Sequence, residues 1–275
     1  ESDDVAAAIE EHYRPVYSGG PLPQSMLGSL LAIADKLDTL CGCFSAGLIP
    51  TGGSDPYALR RQSIGIILML RNLGLSFSLS DIVGAGLKPF AAVAAEPMED
   101  ISSRLLSFLR DRISHLLVEE GKAKDTVLAV VSVSSDQVPQ VWEKVTALEA
   151  LRGDEGFDPL AVAFKRVANI IRKARQDFPD LDLPDIDTAL FEDASETALW
   201  RAFQRVESSV DRLLSENKFD EALSTMATLR EPVDAFFEGV MVMADNQGLR
   251  RNRLAILARI AALFETIADF SKLSV

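Results

Sequence analysis

Apolar residues recur at three- and four-residue spacing along almost the whole chain, and little alternates at period two. The clearest run lies near the end, where Ile256, Ile260, Leu263, Ile267 and Phe270 are spaced 4, 3, 4 and 3, with Leu257 and Phe264 alongside. A second, Ile101, Leu105, Phe108, Leu109, Ile113 and Leu116, steps by 4, 3, 1, 4 and 3. Such spacing lines one side of a 3.6-residue helix, which must then bury that side. The chain is therefore expected to be all-α. Its 275 residues suffice for about two domains. With 48% apolar and 25% charged residues it has the balance of a folded globular protein.

Proline and glycine divide the helical pattern. After an opening helix, Arg14 to Pro23 holds Pro15, Gly19, Gly20, Pro21 and Pro23, a loop before a long helix near Gln24 to Ala46. Pro50, Gly52 and Gly53 mark the next loop. Asp55 can cap the helix that follows, with Pro56 at its first position and an end by Gly74. Val127 to Val133 is β-branched and fits either a strand or a buried helix. Gln176 to Glu196 contains Pro179, Pro184 and eight acidic residues with no basic one, which reads as a solvated loop or short capped turn. Helices are expected from Glu196 to about Ser215, from Phe219 to Met243, and from Leu249 to about Lys272. Boundaries are placed near residues 90 and 156, the second because Gly153 to Pro159 is rich in turn residues.

Several classes are excluded by composition. The longest apolar run, Ile64 to Leu70, falls far short of the roughly 20 residues of a membrane span, so no membrane partner is expected. The opening Glu-Ser-Asp-Asp lacks the basic start of a signal peptide and reads as a cut from a longer chain. Cys41 and Cys43 suit neither a disulfide nor a four-ligand zinc site, and a reduced, cytoplasmic compartment is the default. A net charge of -13 opposes non-specific nucleic-acid binding. DNA is not an expected partner, and any RNA contact must use a local basic patch.

One such patch exists. Phe164 to Arg175 carries Lys165, Arg166, Arg172, Lys173 and Arg175 with no acid. On a helical wheel Phe164, Val167, Ala168 and Ile171 face one way, Arg166, Asn169 and Lys173 the other, with Lys165 and Arg172 on the flanks. The run is either a solvated face that pairs with the acidic loop after it, or a phosphate rail on which Asn169 reaches a base or sugar. Arg250, Arg251 and Arg253 open the last helix. Arg253 shares a side with Leu257, Ile260 and Phe264, so it is expected to be at least half buried and paired with an acid. Arg251 points away and is the better RNA candidate.

The two histidines, His12 and His115, are too few for a histidine-rich metal or acid-base centre. His12 is read as a helix C-terminal cap and His115 as a surface or partly buried helix residue. Asp35 and Asp38 sit in an otherwise apolar helix segment and would pair with Lys36 or Arg60, or be relics of a metal site. No phosphate-binding glycine loop, nucleophile elbow or H-E-x-x-H motif occurs. No catalytic residue is expected.

Four strings together resemble one family, the beta subunit of bacterial heterotetrameric glycyl-tRNA synthetase: EEHYRP (10 to 15), LAIADKLDTLCG (31 to 42), PTGGSDPYALRRQSIGI (50 to 66) and VDAFFEGVMVMADNQGLRRNRLAILARIAALFETIADFSKL (233 to 273). The likeness spans the chain and is weakest from about 90 to 155. It implies a C-terminal part of the beta chain of an α2β2 enzyme that glycylates tRNA. Residues 1–90 would be the later part of an HD-like helical domain, 91–155 a connecting helical region, and 156–275 an anticodon-binding bundle similar to that of arginyl-tRNA synthetase. Glycine, ATP and magnesium would be used in the alpha subunit, and this segment would hold no cofactor. The implied partners are glycine tRNA and the alpha subunit. The resemblance implies a basic run on this helix like Lys165 to Lys173; with the charge pattern, the expected RNA contacts are Lys165, Arg166, Asn169, Arg172, Lys173, Arg250 and Arg251, while His12, Asp35, Asp38 and Arg60 would be structural or vestigial HD-like residues. An HD site needs an adjacent His-Asp pair, and this chain has none; such a dyad would lie before Glu1. The competing readings are an HD-type nucleotide phosphohydrolase remnant and a helical interaction scaffold.

Overall fold

A computed structural model describes residues 2–17, 19–178 and 185–274. Pro179 and Pro184 of the acidic segment lie outside the described residues. Twelve α-helices account for most of the described chain, and its only bridges of strand type are the isolated pairs Thr51 with Ser54 and Ser78 with Gln137. The residues form two compact units, Glu1–Lys122 with Ser135–Trp142, and Ala123–Ser134 with Glu143–Val275. Residues 91–155, expected as a connecting region, supply one helix to the first unit, one to the second, and one whose residues are shared between both.

The first unit contains α1 (Asp3–Glu11), α2 (Met26–Ser45), α3 (Leu59–Asn72), α4 (Leu79–Leu87) and α5 (Met98–Glu119). Helix α2 packs against all four others. Leu40 and Phe44 of α2, Ile66, Ile67 and Leu70 of α3, Val83 of α4, and Leu105 and Leu109 of α5 fill the core. The entry to α2 is fixed by charge as well as packing. Ser25 caps it through Gly28 N, and Glu11 of α1 accepts from Ser25 Oγ (2.6 Å), Ser25 N (3.1 Å) and Gln24 N (2.9 Å). The Ser25 hydroxyl, followed by the two amides, holds the Glu11 carboxyl below its ordinary range. Asp55 does cap α3, accepting from Leu59 N (2.8 Å) and Arg60 N (3.0 Å), but the helix starts at Leu59 instead of Pro56. Ala58, with φ of 54°, breaks the helical path in between.

One expectation fails in this unit. Asp35 and Asp38 are exposed, because Ala32, Lys36 and Leu40 are the residues of α2 that face inward. The buried charge is instead Lys36, whose Nζ donates to His12 O (2.9 Å) and whose pKa burial pushes down. His12 follows α1 as its C-cap, and its Nδ1 donates to Ile9 O (2.5 Å). His115 is exposed beside Glu119 (3.2 Å).

The second unit contains α6 (Lys124–Val131), α8 (Phe157–Asp177), α9 (Ala194–Ser215), α10 (Phe219–Ala227), α11 (Arg230–Gly239) and α12 (Gln247–Glu265). Helix α7 (Val138–Arg152) has its first residues, to Trp142, in the first unit and the rest in the second. The β-branched run at Val127 is helical: Val127, Ala129, Val130 and Val131 are buried in α6. The expected helix from Phe219 to Met243 is two helices, α10 and α11. Pro232 lacks an N–H and fits the first turn of a new helix, where the amides have no intrahelical partner. The last helix stops at Glu265, and its apolar pattern continues in a 3₁₀ turn, Phe270–Lys272. Helix α12 is buried on nearly every side and lies against α8 and α9.

Candidate nucleic-acid interface

The basic run forms α8, and its apolar side holds the helix in place. Phe157, Leu160, Phe164, Val167 and Ile171 are buried. Phe164 stacks on Phe264 of α12 (centroids 3.7 Å apart, planes at 29°) and meets Phe270 edge-on at 6.1 Å, while Phe264 and Phe270 make a T-shaped pair at 5.0 Å. Aromatic pairs in these geometries add to the energy of burial and fix the rotation of α8 about its axis.

That rotation turns a groove of about 480 Å³ outward, lined by Val162, Lys165, Arg166, Asn169, Ile170 and Lys173. Two cations are pinned at its edge. Lys165 is half-buried and donates Nζ to Leu273 O (3.1 Å). The Arg166 guanidinium lies 3.9 Å from the ring centroid of Phe237 in α11, close enough for a cation–π contact that limits its freedom while leaving it exposed. Lys173 is exposed and has no ion pair among the described residues. Among the described residues no carboxylate lines this groove.

Of the residues expected to act together, the fold gathers Lys165, Arg166, Asn169 and Lys173. Asn169 is partly committed: its Oδ1 accepts from Arg172 Nη2 at 2.5 Å. Its amide N–H groups remain the available donors. Arg172 lines a neighbouring hollow of about 360 Å³ that also holds Arg175, Glu265 and Asp269, so its surroundings are mixed in charge. Arg250 is half-buried, donates to Ala244 O (3.3 Å) and sits 5.4 Å from the centroid of the Phe178 ring. Arg251 is exposed. Sequence spacing did not single out Phe237, Val162 or Ile170. The adjacent pair Phe236 and Phe237 held a clue, since neighbours on a helix stand about 100° apart and one of two must leave the core.

Arg253 is 5% exposed. Its Nε donates to Glu196 Oε1 (2.9 Å), Nη2 to Glu192 Oε2 (3.2 Å), and Nη1 to Met241 O (3.2 Å). Glu196 is fully buried and also accepts from the amides of Glu192 (2.8 Å) and Asp193 (2.9 Å), closing a capping box with Asp193 at the start of α9. Burial alone would push the Glu196 carboxyl up, yet the Arg253 guanidinium and the two amides outweigh it and hold it low. The arginine thus ties α12, the start of α9 and the segment after α11 together.

In the first unit, His12, Asp35, Asp38 and Arg60 are not gathered into one site. Arg60 donates to Gly52 O (2.7 Å), and both aspartates face outward. Among the described residues no three histidine, cysteine or acidic side chains converge as metal ligands, and no helix is long and apolar enough to cross a membrane.

Comparison with known proteins finds two family matches along the chain. Residues 1–132 match the family model of the glycyl-tRNA synthetase beta subunit, and residues 160–271, α8 through the 3₁₀ turn, match that of the DALR anticodon binding domain. The chain is similar to the glycine–tRNA ligase beta subunits of Desulfatibacillum aliphaticivorans (48% identical over 98% of this chain) and Desulforapulum autotrophicum (47% over 99%). That of Citrifermentans bemidjiense is 46% identical over all of it. In each case this chain spans 39% of the relative's length.

Proposed function

The chain belongs to the glycyl-tRNA synthetase beta subunit family, and we propose that its second unit holds tRNA along the outward side of α8. The observation that carries this reading is the groove that gathers Lys165, Arg166, Asn169 and Lys173, with no carboxylate among its described lining residues, in a chain whose net charge is -13. In so acidic a protein, three cations gathered in one groove concentrate attraction for phosphate at one place.

The parts divide the work. Lys173 and Arg166 supply the mobile and the stacked cation for the sugar–phosphate backbone. Lys165, tethered to Leu273 O, raises the local potential more than it reaches out. The Asn169 amide can donate to a base or ribose, and Val162 and Ile170 give the apolar floor against which an unstacked base loses water. The RNA would be glycine tRNA. It would be charged in the cytoplasm by a glycine–tRNA ligase complex whose alpha subunit uses glycine, ATP and magnesium, with this segment contributing binding and no catalytic group.

A photo-crosslinking amino acid at Ile170 of the full-length beta subunit, assembled with its alpha partner, tests the assignment. Irradiation with glycine tRNA should yield an RNA adduct that excess unlabelled glycine tRNA suppresses. Absence of an adduct at Ile170, when the complex binds tRNA, would overturn the reading.

A further inference from the structure

The outward side of α9 carries a second row of cations. Arg201, Arg205, Ser208 and Arg212 follow one another at spacings of 4, 3 and 4, and all four are exposed. They form a single line opposite the buried side of the helix, Leu199, Ala202, Phe203, Val206, Val210 and Leu213. At the rise of an α-helix the line is roughly 16 Å long.

The row is electrostatically open. The helix-surface neighbours of Arg201 are Thr197, Ala198, Gln204 and Arg205; those of Arg205 are Arg201, Ala202, Ser208 and Ser209. None is acidic, and two arginines four residues apart repel each other on a helix. Several other cations of this unit are held by carboxylates: Lys218 by Glu216 (2.9 Å), Arg230 by Asp234 (3.4 Å) and Arg259 by Asp185 (3.5 Å). Arg212 at the end of the row has Glu216 at 3.3 Å. Arg201 and Arg205 have no ion pair or hydrogen bond among the described residues. Next to them Trp200 is half-buried, its indole stacked on Phe203 (5.5 Å, 14°), with Gln204 one turn further on.

We propose that this row is a second phosphate-binding surface for RNA, with Arg201 and Arg205 each taking a backbone phosphate and the Gln204 amide and Trp200 edge facing sugar or base. The proposal rests on the RNA-binding reading of α8 and extends it to a separate helix. A planar guanidinium fork suits phosphate oxygens, and arginines interleaved with Gln and Ser match a sugar–phosphate strand. A protein partner would call for an apolar centre, which the line of Arg201, Arg205, Ser208 and Arg212 does not offer.

The test uses the full-length beta subunit assembled with its alpha partner and a labelled glycine tRNA transcript. Arg201→Ala with Arg205→Ala is compared with Arg166→Ala with Lys173→Ala, each checked for unchanged helicity. The α9 pair should weaken binding about tenfold or more and make the slope of log affinity against log salt shallower by roughly 1.5 for the two arginines. If only the α8 pair weakens binding, the α9 row is overturned and the α8 groove stands. If neither does, both are overturned. If the α9 pair loses the alpha subunit while the tRNA affinity of the isolated full-length beta subunit is unchanged, the row is a protein contact and the proposal fails.

Discussion

Replacement of Arg253 by Met gives the sharpest test of what holds the second unit together. The substitution keeps an apolar stem of similar length but leaves the Glu196 carboxylate, fully buried, with only the amides of Glu192 and Asp193 as donors. Breaking a buried ion pair from one side costs about 3–5 kcal/mol. The two remaining amides offset part of that, and the lost contact to Met241 O adds to it. We expect a loss of about 3 kcal/mol at neutral pH. The loss should shrink as pH falls, because a Glu196 deprived of its guanidinium is pushed up by burial and takes a proton, which removes the stranded charge. Adding Glu196→Gln should therefore recover much of the loss, since the amide oxygen can still accept at the helix start; a coupling of about 2 kcal/mol is expected between the two positions. Urea unfolding in a Trp142→Phe background reports this unit, because Trp200 is then the sole tryptophan. A loss under about 1 kcal/mol for Arg253→Met, or strictly additive effects in the pair, would refute the reasoning.

Three further outcomes follow from other contacts. Asp125 is hydrogen-bonded by Arg152 (2.7 Å) and Ser274 N (2.9 Å), and although burial raises its pKa these partners bring it down to about 2. A folded pKa below the ordinary 3.8 means the stabilisation is complete above that value and fades as pH falls toward 2; Asp125→Asn should cost about 2 kcal/mol at pH 7 and little at pH 2 in urea titrations. Phe164→Ala should cost about 3–5 kcal/mol, read as a lower urea midpoint, because it empties the centre of the aromatic trio behind the groove. Lys36→Met should leave thermal stability within about 1 kcal/mol of the natural chain, as the desolvated ammonium offsets its own bond to His12 O, whereas Lys36→Ala should cost about 2 kcal/mol through the cavity.

The parts of the fold that could be read from sequence are those in which a long stripe has one side. The run from Ile256 to Phe264 gives α12, and the place of Arg253 on the same side as Leu257 and Ile260 gives its burial and its need for an acid. Asp35 and Asp38 went astray because α2 is apolar nearly all round in its first half. Leu30 and Leu31 are 41% and 40% exposed, so the outward side of α2 looked like core. Pattern alone also missed the start of α3, which depends on the backbone at Ala58, and the break before α11, which depends on where Pro232 fits. In the basic helix, the wheel separated Arg166 and Lys173 from the buried side correctly. It had no means of placing Lys165 on Leu273 O or Arg172 beside Glu265 and Asp269, since those partners lie far along the chain and meet α8 only after α12 docks.

We propose that the α8 groove holds RNA through phosphate contacts. The most direct test is the affinity of the full-length complex for glycine tRNA across a salt series, for the natural chain and for Arg166→Glu with Lys173→Glu. Counterion release predicts a weaker complex at every salt concentration and a slope shallower by roughly 1.5 for two lost contacts to a single strand. An unchanged slope with unchanged affinity would mean that the α8 groove makes no phosphate contact.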